Sequence, residues 1–114
     1  MTYLTEKMRR KEAGLPPPCM EYSSSSLTLT IYFSDVRTRV FAWSRFDSAD
    51  HCGEELTLMF GSHEVVVHGQ NLSCIMGYLG GFHIESLRTV PATYRPVDAD
   101  ELVIREFEVR RVQF

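Results

Sequence analysis

Between Leu27 and Phe33 an apolar side chain falls at every second position: Leu27, Leu29, Ile31 and Phe33. Successive side chains of an extended chain point to opposite sides, so a strand gathers this set on one face, whereas a helix would scatter it around its axis. A strand that is greasy on one side must lay that side on a second layer. The alternation therefore predicts a β-structured core, and further strands to build it.

Five more segments fit. Residues 38–46 hold Phe41, Trp43 and Phe46, with Ser34-Asp35 as the turn before them. Which face of this strand is buried stays open, because Val40 and Ala42 alternate against Phe41 and Trp43. Residues 55–60 and 63–68 flank Gly61-Ser62, a two-residue hairpin signal, with Leu56, Leu58, Phe60, Val65 and Val67 on a shared side. Residues 84–90 end at Pro91. Residues 101–112 change phase, since Leu102 and Ile104 fall on one parity and Phe107 and Val109 on the other. An extra residue near Arg105-Glu106, a β-bulge, would reconcile them; a strand buried on both faces near its start is the alternative.

One segment changes period. Leu72, Ile75, Met76 and Leu79 recur at helical spacing, with Asn71 as N-cap, Gly80-Gly81 as the left-handed stop and Cys74 as a small core residue. Residues 1–26 read as a flexible extension. Its segment 5–13 has a helical pattern, ended by Gly14 and Pro16-Pro17-Pro18, and 23–26 is a serine run. The expected fold is thus mainly β (α+β). It is a small antiparallel barrel or bent sheet of about six strands in the order β-β-β-β-α-β-β, forming a single domain over 27–114. A short helix ahead of a small bent sheet is similar in layout to Sm-like barrels. That likeness covers no motif, and the helix after the fourth strand departs from it.

Composition narrows the class of function without naming one. Net charge is −3, too small and of the wrong sign for a chain built around a nucleic-acid footprint. Three cysteines without CxxC spacing argue against a disulfide framework. The absence of a long apolar run predicts no signal peptide and no membrane span, and with them a cytoplasmic setting.

Chemistry-bearing clusters are few. The loop 47–54 gathers Asp47, Asp50, His51, Cys52 and Glu54, of which Asp50, His51 and Cys52 are the weak metal candidates. Adjacent His and Cys point apart in extended backbone, and no second ligand pair follows, so a solvated loop is expected and no metal or other cofactor. No nucleophile elbow or catalytic pair is found. Cys52 is the more exposed thiol. Arg39, Phe41, Trp43 and Arg45 share one parity and could stack and hold single-stranded nucleic acid; the competing reading turns Phe41 and Trp43 to the core or to a subunit partner. Surplus apolar faces on 38–46 and 101–112 favour a non-enzymatic module that associates with itself. A nucleic-acid binder, and a small enzyme or metal protein centred on 47–54, are the alternatives.

Overall fold

The computed structural model describes residues 18–24, 26–34 and 37–112. These run through β1 (Met20–Tyr22), β2 (Thr28–Ser34), β3 (Arg37–Ala42), a 3-10 turn (Trp43–Arg45), β4 (Phe46–Cys52), β5 (Glu55–Phe60), β6 (His63–Gln70), helix α1 (Ser73–Leu79), β7 (Ile84–Arg88) and β8 (Val103–Arg111). The strands form two four-stranded sheets, ordered β1-β7-β2-β3 and β4-β5-β6-β8. Neither closes into a barrel. The 3-10 turn carries the chain from an edge of the first sheet to an edge of the second.

The alternating run is buried only in part: Leu27, expected on the core face, precedes β2 and is 87% exposed, and Phe33 is half-buried. Leu29 and Ile31 are fully buried, and across the core they meet Leu56, Leu58, Phe60, Val65 and Val67 of the β5–β6 hairpin. That hairpin turns at Gly61-Ser62, with Phe60 paired to His63 and Gly61 at a φ of 58°. A residue with a Cβ is strained there. Leu72, Ile75 and Leu79 of the helical segment complete the core with Ile84 and Leu87 of β7.

The expected register change in the last strand is present. His68 pairs with Glu106 but Gly69 pairs with Ile104, so Arg105 is the extra residue of a bulge. Both Val103 and Ile104 are fully buried, so the start of β8 is covered on both faces as well. Gly69 sits where the strands crowd: a Cβ built on it would lie 1.9 Å from the Val103 carbonyl oxygen.

Several expectations are corrected. There are eight strands among the described residues, not six. Met20–Tyr22, assigned to the extension, pairs with β7, and Phe46–Cys52, assigned largely to a loop, pairs with β5 through a turn at Gly53. Pairing is not antiparallel throughout: β7 runs parallel to β2. Parallel neighbours need a long crossover, and β3 to β6 plus α1 supply it. The strand expected over 38–46 breaks at Trp43. Asn71 does not cap α1. Its backbone is left-handed, at a φ of 59°, and its Nδ2 donates to the Ala99 and Glu101 carbonyls, 2.8 Å each, tying the helix entry to the segment before β8. The left-handed residue after the helix is Phe82, at a φ of 55°, and not a glycine. Met76 and Cys74 are exposed. The helix predicted over 5–13 and the turn at Asp35 lie outside the described residues.

Candidate functional site

The four residues of the proposed stacking strand are separated by the break at Trp43. The indole of Trp43 is 2% exposed. It donates from Nε1 to the Ile84 carbonyl at 3.2 Å and is surrounded by Phe46, Phe60 and Phe82, with ring centroids 5.2–5.6 Å away. Phe41 is buried against Phe60. In this arrangement neither ring offers a face to a base. Arg39 is half-buried, its guanidinium 4.9 Å from the Phe41 ring centroid, and Arg45 is exposed on the 3-10 turn.

Asp50, His51 and Cys52 fall on the edge strand β4. Register with β5 places His51 opposite buried Leu56, while Asp50 and Cys52 point the other way. His51 Nε2 lies 2.9 Å from the Gly53 carbonyl oxygen. Among the described residues no three His, Cys, Asp or Glu side chains converge as metal ligands would. The nearest serine–histidine pair, Ser62 Oγ to His63 Nδ1, is 3.5 Å apart, at the limit of hydrogen bonding.

The structure also has a concavity absent from the sequence reading. It holds about 370 Å³ and is lined by Pro18, Cys19, Met20, Tyr22, Cys74, Tyr78, Glu101 and Leu102. Tyr22 stacks on Tyr78 at 5.1 Å. Glu101 accepts a hydrogen bond from the Tyr94 hydroxyl at 2.6 Å, and the Cys19 thiol sulfur accepts from the Ile104 N–H at 3.3 Å. Two thiols, Cys19 and Cys74, line the cleft together with the carboxylate of Glu101. These residues come from three distant segments, and no local motif links them.

The outward faces of the sheets differ in how far they are closed. On the first sheet, Arg88 Nη2 donates to Glu21 Oε1 at 3.2 Å, and its guanidinium lies 4.3 Å from the Tyr32 ring centroid. This covers β1, β7 and β2. β3 is different. Val40 on its outward face is 56% exposed, and Leu27, whose carbonyl receives the Trp43 N–H, is 87% exposed. Among the described residues no strand pairs with the outer edge of β3.

On the second sheet, Glu108 Oε2 takes hydrogen bonds from His68 Nε2 at 3.2 Å and Arg110 Nη2 at 2.9 Å. The bond from His68, followed by the bond from and charge of Arg110, lowers the Glu108 carboxyl below its ordinary value of 4.5. A depressed folded-state value means the carboxylate adds stability above the unfolded value, and that this is lost as pH falls through the folded one. Glu108→Gln is therefore expected to lower the urea midpoint at neutral pH. The gap from wild type should close progressively below pH 4.5, as a titration of urea midpoints would record.

Comparison of the chain with known protein families, with curated proteins and with solved structures finds no match. Among the described residues no helix is long and apolar enough to cross a membrane.

Proposed function

We propose that this chain is a non-enzymatic interaction module that associates with copies of itself through the outer edge of β3. One observation carries the reading: an edge strand with no partner on its outer side among the described residues, whose outward face presents half-exposed Val40. An edge presents a row of backbone donors and acceptors that another strand can pair with. The apolar surplus of the last strand does not contribute, because Val103, Ile104 and Phe107 are buried within the chain.

Val40→Lys places a charge on that edge and leaves the core untouched. Light scattering is expected to show the wild-type mass rising with concentration and the variant holding at monomer, with matching circular dichroism spectra. A variant that associates as the wild type does would overturn the assignment to β3.

A further inference from the structure

We infer that the surface received by the β3 edge is the β4 edge of a second copy of this chain; the inference rests on the self-association reading above. β3 and β4 are edges of different sheets. β3 carries Arg37 and Arg39 and no acid, and β4 carries Asp47 and Asp50 and neither lysine nor arginine. None of the four takes part in an ion pair among the described residues. Among the described residues each edge therefore holds charge of a single sign with no ion-pair partner.

Like charges directly opposite one another destabilise a strand pair, whereas opposite charges stabilise it. β3 against β3 sets arginine near arginine, and β4 against β4 sets aspartate near aspartate. β3 against β4 satisfies both. The lengths suit each other, six residues against seven. In an antiparallel register with Thr38 opposite Ala49, Arg37 faces Asp50 and Arg39 lies diagonal to it, within reach of a long side chain. Arg37 and Arg39 are held for this by their aromatic seats, 4.6 Å over Phe33 and 4.9 Å over Phe41. The two patches are different, so the contact is heterologous and each copy keeps one edge to offer the next.

The test is sedimentation velocity on Arg39→Glu, on Asp50→Lys and on their equimolar mixture, with circular dichroism to confirm the fold. Each variant alone is expected to associate at least about tenfold more weakly than wild type. The mixture is expected to regain association, because Arg39 of one chain then meets Asp50 of the other. A mixture that stays monomeric, or an Asp50→Lys variant that associates as wild type does, overturns the β4 assignment while leaving self-association standing. A wild type that never associates removes the underlying reading instead. Should Arg39→Glu unfold through loss of its seat on Phe41, Asp50→Lys against wild type decides alone: loss of association supports the inference, and retention overturns it.

Discussion

Gly69→Ala is expected to lower the melting temperature by about 12 °C or more. The substitution adds one methyl group, but that methyl would lie 1.9 Å from the Val103 carbonyl oxygen and 3.0 Å from the Ile104 Cα. Both are backbone atoms in a strand fixed by its pairing with β6, so the methyl cannot be accommodated by a side-chain rotation. Forcing the strands apart breaks ladder bonds beside the bulge and the Gly69 N–H bond to the Glu54 carbonyl, 3.0 Å long. Overpacking of this kind costs about 3 kcal/mol at the upper end of its usual range. For a domain of this size that is about 4 °C or more of melting temperature per kcal/mol. Gly77→Ala is the control. A Cβ there meets nothing within 4 Å. In mid-helix the change is expected to stabilise by about 1 kcal/mol. Calorimetry on both variants should therefore give shifts of opposite sign, and a Gly69→Ala variant that melts at or above the wild-type temperature would mean the β6–β8 approach is misplaced.

Trp43→Ala is expected to cost about 4 kcal/mol in urea unfolding. The indole fills the corner where the chain passes from one sheet to the other, in contact with Phe46, Phe60 and Phe82. Removing it leaves a void and strands the Ile84 carbonyl without its donor. Trp43→Phe keeps most of the ring contacts and loses the hydrogen bond, so it should cost about 1–2 kcal/mol. The ratio of the two separates packing from polar satisfaction. Equal losses would mean that the hydrogen bond, and not the ring, holds the corner.

Most of the core was legible because its signal is periodic. Leu29, Ile31, Leu56 and Leu58 alternate with polar residues and are buried as the period requires, and Val65 and Val67 are buried beside Val66. The bulge was legible for the same reason: a change of parity between Ile104 and Phe107 has few physical explanations. β4 was not. Asp47, Ser48, Asp50 and His51 have loop composition, yet an edge strand needs only one paired side and little burial, so backbone pairing with β5 outweighs propensity. The orientation of Trp43 was hidden because the 3-10 turn rotates the chain just as the alternation would decide between faces. Cys74 lies within the helical segment but off the stripe of Leu72, Ile75 and Leu79, and α1 is covered on that stripe's side only. The cleft depends on tertiary placement of Tyr22, Tyr78 and Glu101, which no local pattern encodes. The candidate interface was half legible: the surplus apolar residue at Val40 stood out, but its place on an open edge, and the acidic edge that matches it, required the sheet order.

Sedimentation velocity of the unaltered chain over a wide concentration range bears most directly on the claim that β3 is an unfilled pairing edge. The account predicts a weight-average sedimentation coefficient that climbs with concentration and falls back when salt is raised, since the proposed contact joins opposite charges. A single monomer species, unchanged at the highest concentration reached, would contradict it.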